Sequence, residues 1–127
     1  MSGYLLDTNA IAAVLLDTVS PAVAQVLDAA DAGSVFASTI SLYEIGQKVC
    51  RGRWPDMEPH LLDLESLLAR SAVTLLPLEP RAALLAALLD WPHRDPFDRM
   101  IVATARMESL TVITSDRAFA GVVPTLW

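Results

Sequence analysis

The sequence predicts an α/β fold, a three-layer sandwich of helices around a short, mainly parallel sheet. Three observations lead there. Short apolar runs alternate with helical stretches along the chain, the pattern of strand–helix–strand units. Two of the helical stretches open on Ser-Pro and Asp-Pro, a cap followed by a residue suited to the first helical turn. Hydrophobic residues make up 54% of the chain against 19% charged, enough to bury a sizeable core and too apolar for disorder.

Taken in order, residues 3–6 of "GYLLDTNA" predict a short buried strand that stops on Asp7, and "NAIAAVLL" predicts a helix after it. "SPAVAQVLDAADAG" predicts a helix with Ser20 as N-cap, Pro21 in the first turn, a stripe at 23, 26, 27 and 30, and Gly33 as its stop. "SVFAS" reads as a strand. Residues 41–52 predict a helix opened by a capping box of Ser41 and Glu44. "HLLDLESLLAR" predicts an amphipathic helix within 58–70, with Leu61, Leu64 and Leu68 on one stripe. "AVTLLPL" is a strand ending near Pro77, and "PRAALLAALLDW" a helix closed by Pro92. "DPFDRMIVATARMES" predicts a helix over 95–109, capped by Asp95 with Pro96 following. "TVITSD" is a further strand, and "GVVPTLW" adds an edge strand.

The totals bound the function. At 127 residues, with no repeat or linker, residues 1–127 predict one domain. No apolar run reaches the roughly 18 residues of a membrane span, and "MSGYLL" lacks a basic secretory n-region. Cys50 is the sole cysteine, so neither a disulfide framework nor a cysteine zinc site is expected, and the expected location is cytoplasmic. The net charge of −6 and pI near 4.6 argue against a general nucleic-acid coat. Local cations still stand out: Lys48, Arg51 and Arg53 fall together, and Arg94 and Arg99 flank a short acidic segment. The apolar surplus points to a homodimer or a bound partner.

Four acids carry the chemistry. Asp7 and Asp116 each follow a strand, whereas Glu44 and Asp98 each lie near a helix start. Strand carboxyl ends and helix N-termini share one edge of such a sheet, so the topology points four carboxylates at one crevice. Carboxylates that close call for a divalent cation, Mg²⁺ or Mn²⁺, and two such ions about 3.5–4 Å apart would flank a phosphate for in-line attack by water. Each acid also has a plainer use. Glu44 serves a capping box, Asp95 a cap, Asp98 the helix dipole, and Asp7 and Asp116 turns. His93 reads as a surface loop residue, Trp91 as core, and "KVCRGR" as a solvated helix end. An aspartate-based phosphatase would want a second Asp two residues after Asp7, where Asn9 stands. A phosphorylation-switched receiver would want a lysine after a late strand, and the only lysine is Lys48.

"LLDTNA" at 5–10, "SLYEIGQKVCRGRW" at 41–54, "HRDPFDRMIVATA" at 93–105 and "VITSD" at 112–116 resemble the PIN domain, specifically the VapC-type ribonuclease toxins of bacterial toxin–antitoxin pairs. The motifs keep the family's order over nearly the whole chain, and "DRAFAGVVPTLW" resembles its usual ending. The resemblance implies a PIN-like fold and an Mg²⁺- or Mn²⁺-dependent endoribonuclease acting on an RNA substrate. It further implies a homodimer silenced by a cognate antitoxin. The family's acidic metal set falls on Asp7, Glu44, Asp98 and Asp116, with Thr8 and Ser115 as polar neighbours and Asp95 as a subgroup feature. A PIN fold kept only as a non-catalytic interaction module is the alternative, and the complete acid set speaks against it.

Overall fold

Alternation along the central strands decides the layers. In the computed structural model, which describes residues 3–127, strand β1 (Tyr4–Leu6) sends Leu5 into one apolar cluster and Leu6 into another. Strand β2 (Val35–Ser38) places Val35 and Ala37 on the Leu6 side and Phe36 on the Leu5 side. In β4 (Thr111–Ile113), Val112 and Ile113 divide in the same way. A strand apolar on both faces needs a helical layer on each, which is why the strands read as unbroken hydrophobic runs. With β3 (Thr74–Leu76) and β5 (Thr125–Leu126) the sheet runs β3-β2-β1-β4-β5, all parallel. The expected α/β sandwich and its edge strand are thus present.

On the Leu6 face lie α1 (Thr8–Leu15), α2 (Pro21–Ala29), α3 (Thr39–Cys50) and α4 (Leu64–Arg70), contributing Ile11, Val23, Ile45 and Leu68 to the core. The other face is covered by α6 (Pro96–Glu108), on which α5 (Pro80–Leu88) packs. No helix among the described residues is long and apolar enough to cross a membrane.

Several predicted boundaries move, each for a local reason. The capping box of Ser41 and Glu44 is not formed. Strand β2 runs straight into α3, so its last residue, Ser38, takes the cap by accepting a bond from the Ile40 N–H at 3.1 Å. Ser41 and Glu44 therefore lie inside the helix, buried. Helix 58–70 is split into a 3₁₀ stretch, Pro55–Asp63, and α4, because Pro59 cannot donate a backbone bond. α2 stops at Ala29, and Gly33 instead adopts φ +77° in the turn before β2. α5 ends at Leu88, short of Pro92, and the carbonyls beyond it turn toward Arg99.

Candidate metal centre

The strand order reverses at β1. The chain lays β2 and β3 on one side of it, then crosses to β4 and β5 on the other. In an open α/β sheet the crevice at such a switch point, beyond the strand carboxyl ends, is where ligands bind. Asp7 and the segment after β4 meet there: Leu6 pairs with Ile113, and the Asp7 N–H donates to the Ile113 carbonyl at 3.1 Å.

Asp7 is buried and fully engaged. Its Oδ1 accepts from the Ala10 N–H at 2.8 Å, capping α1, and its Oδ2 accepts from the Thr114 hydroxyl at 2.5 Å. Thr114 in turn accepts from the Asp116 N–H at 3.0 Å, linking the two acids through one hydroxyl. Burial still pushes Asp7 above its ordinary value; the bonds from Thr114 and Ala10 oppose this, and the charges of Asp116 and Glu44 add to it.

Glu44 points into the same edge from α3. Its Oε1 lies 2.6 Å from Thr8 Oγ1, and its Oε2 lies 2.9 Å from Lys48 Nζ, one turn on. Thr8 has a single hydroxyl proton. With that given to the carboxylate, it accepts from Ser41 Oγ, 2.9 Å away.

The first turn of α6 supplies the outer part. Asp95 caps the helix as expected, its Oδ1 accepting from the N–H groups of Phe97 at 2.9 Å and Asp98 at 3.4 Å. Asp98 Oδ2 lies 2.7 Å from His93 Nε2. Burial pushes the Asp98 carboxyl up to about 6, against the lowering bond from His93, while Asp95 and Glu44 raise it further. Among the described residues, His93, Asp95 and Asp98 are the one group of three whose ligand atoms all lie within 4.8 Å of one another. This set could hold a metal ion.

His93 is therefore no idle loop residue. The loop that carries it is closed on Arg99, whose guanidinium donates to the carbonyls of Ala86, Leu89, Trp91 and His93 at 2.7–2.9 Å. Trp91, only partly buried, stacks on the imidazole at 4.6 Å between centroids and meets Phe119 edge-on. Asp116 is exposed and caps a 3₁₀ turn through the Ala118 N–H at 2.9 Å. Ser115, beside it, is exposed and makes no side-chain hydrogen bond among the described residues, whereas the next residue inward, Thr114, holds Asp7. Thr114 and His93 are the site residues that sequence reasoning passed over. The position of Thr114 directly after an apolar strand, as Asp7 follows its own, was the available signal.

The structure thus brings Asp7, Glu44, Asp98 and Asp116 to one edge, close enough that Asp7 feels Glu44 and Asp116, and Asp98 feels Glu44. The donors are carboxylate oxygens with one imidazole, a set that suits a hard divalent cation. The His93, Asp95 and Asp98 group fits such an ion.

A PIN-domain family model matches residues 4–123. The chain belongs to the PIN-domain family. Among curated protein sequences none matches it. Solved structures with the same fold include DNA-bound VapBC from Salmonella typhimurium, at 19% identity and a TM-score of 0.73 over 99% of this chain and 98% of that one. FitAcB from Neisseria gonorrhoeae is 25% identical with a TM-score of 0.65, covering 98% and 96%. A toxin–antitoxin complex from Klebsiella pneumoniae is 21% identical with a TM-score of 0.67, covering 98% and 97%. PIN-domain membership accounts for the parallel sheet.

Proposed function

We propose that this PIN domain is a metal-dependent endoribonuclease, the toxin of a toxin–antitoxin pair. One observation carries the reading: Asp7 lies within reach of the charges of Glu44 and Asp116, Asp98 within reach of that of Glu44, and two of these acids, Asp7 and Glu44, are buried. Burying carboxylates costs stability, and the caps and pairs these acids make do not require them to lie side by side. Asp7, Glu44, Asp98 and Asp116 would hold the Mg²⁺ or Mn²⁺, with Asp95 and His93 alongside. When bound, the cation supplies charge neutralisation for a phosphodiester and lowers the pKa of water enough for attack. The chain's own work is positional: Thr114 and Thr8 orient Asp7 and Glu44, and Arg99 holds the loop that sets His93 against Asp98.

The named structures that share the fold come from toxin–antitoxin and VapBC assemblies, which supports a cognate antitoxin as partner. Exposed Leu62, on the 3₁₀ stretch that packs against α3, gives such a partner an apolar anchor. Leu84 and Leu88, also exposed on α5, favour a homodimer. The test is purified protein incubated with structured RNAs, with EDTA or with added Mg²⁺ or Mn²⁺, beside an Asp7→Asn control. Cleavage should need the metal and Asp7; metal-independent cleavage, or Asp7→Asn cutting at the wild-type rate, contradicts the reading. Expression alone should slow growth, and co-expression with the product of the neighbouring gene should yield a silent complex.

A further inference from the structure

We infer that the cavity between the end of α3 and the start of α6 is the track on which single-stranded RNA lies, an inference that rests on the ribonuclease reading. The cavity measures about 470 Å³ and takes its cations from two distant segments. Lys48, Arg51 and Arg53 come from the end of α3, and Arg94 from the loop before α6. It opens directly onto the acid edge, since Glu44 and Asp95 line it as well. In a chain with a net charge of −6, four cations in one cavity are a local reversal of sign.

These cations are not spent equally. Lys48 is paired with Glu44 at 2.9 Å and sits over the Trp54 ring at 5.3 Å, so its charge is locally matched. Arg51, Arg53 and Arg94 are exposed and make no ion pair or side-chain hydrogen bond among the described residues. Arg99, on α6 beside Asp98, spends four of its donors on backbone carbonyls. Three unpaired guanidiniums beside carboxylates suit a polyanion that passes from the cation track to the acid edge.

The second feature is aromatic. Tyr43, on α3, is 62% exposed and rests against Phe97, a lining residue of the same cavity, with ring centroids 5.9 Å apart. A buried core has no use for a tyrosine left that open. Cationic tracks with exposed rings bind single strands, because each phosphate meets a guanidinium while an unstacked base covers a ring. Duplex RNA offers phosphates but no free base face, so the platform favours a single strand.

Charge and stacking separate in one experiment. Binding of a short unstructured RNA is followed by fluorescence anisotropy in EDTA, from about 50 to 200 mM KCl. Each phosphate contact on a single strand contributes about 0.7 to the slope of log affinity against log salt, so Arg51→Gln with Arg53→Gln should lower its magnitude by about 1.4. Tyr43→Ala should weaken binding by about 5- to 150-fold with the slope unchanged, and Tyr43→Phe should restore it. Arg81→Gln, on a separate cavity, should leave both unchanged. The inference is overturned if wild type binds no RNA at the lowest salt, or if the double substitution leaves the slope intact. It also falls if Arg81→Gln lowers the slope equally, or if the substitutions loosen only the antitoxin. Binding is read without metal or cleavage, so RNA binding by a protein that never cuts would reject the nuclease reading and keep the track.

Discussion

The sheet edge is assembled from two halves held by different means. The inner half, Asp7 and Glu44, is buried, and a threonine hydroxyl fixes each carboxylate. Its placement follows from the pairing of β1 with β4 and from α3 leaving β2 without a loop, a register that cannot slip without turning the core outward. The outer half is only partly buried: Asp95 and Asp98 belong to the start of α6, and His93 to a loop gathered by a single side chain, Arg99. Substitutions on the inner half should therefore change chemistry at nearly fixed geometry. Those on the outer half should act by moving things.

The largest effect is expected at the inner half. Asp7→Asn keeps the shape and the bond from Ala10 but removes the charge proposed to hold the ion, so metal-dependent cleavage should fall about 100-fold or more. Thermal unfolding of the metal-free protein should be unchanged or slightly raised, because a buried charge has gone. Unfolding of Asp7→Asn at much lower temperature would show that Asp7 is there for stability. Next comes Thr114→Val, which leaves Asp7 in place without its hydroxyl partner. Activity should drop about 10- to 100-fold, with about 1–3 kcal/mol lost in denaturant unfolding.

The outer half answers to Arg99. Arg99→Gln strips a charged donor from four carbonyls and should cost about 1.5–3 kcal/mol. Arg99→Lys should not rescue it, since one ammonium cannot span the positions a guanidinium fork reaches. Activity should fall in both variants through displacement of His93 from Asp98. Full activity in either would mean that the loop needs no such support.

The smallest effect is in pH. Asp98 titrates at about 6 in the folded chain against an ordinary value of 3.8, so between these values the native state keeps a proton the unfolded chain has lost. Asp98 therefore contributes stability at low pH that is lost as pH rises through about 6, and Asp7 acts in the same direction. In EDTA the unfolding temperature should decline across that window; Asp98→Asn should flatten the decline, and Mg²⁺ should offset it at neutral pH. A rise in the same window would reverse the sign assigned to Asp98.

The same division explains what was legible in the sequence. Strand identity, the parallel sheet and the caps at Ser20 and Asp95 follow from local pattern, and the helices obey them. The edge shared by the acids follows from topology, which strand–helix alternation already determines. Thr114 was hidden because its role depends on register with β1, a relation between residues 107 apart. His93 was hidden because Arg99, which draws its loop inward, reads locally as a surface cation. The false capping box at Ser41 had the same origin: local pattern could not reveal that β2 would deliver Ser38 to the cap first.

Both halves serving one ion site is the central claim, and Mn²⁺ titration by calorimetry tests it most directly. Wild type, Asp7→Asn, Asp98→Asn and the double variant are compared without RNA. The account expects each single substitution to weaken the same binding event, and the double to fall short of their sum, because the two carboxylates share a cation. If Asp98→Asn abolishes binding while Asp7→Asn leaves it at wild-type affinity, the ion belongs to the outer His93–Asp95–Asp98 group alone, and the four-acid centre is contradicted.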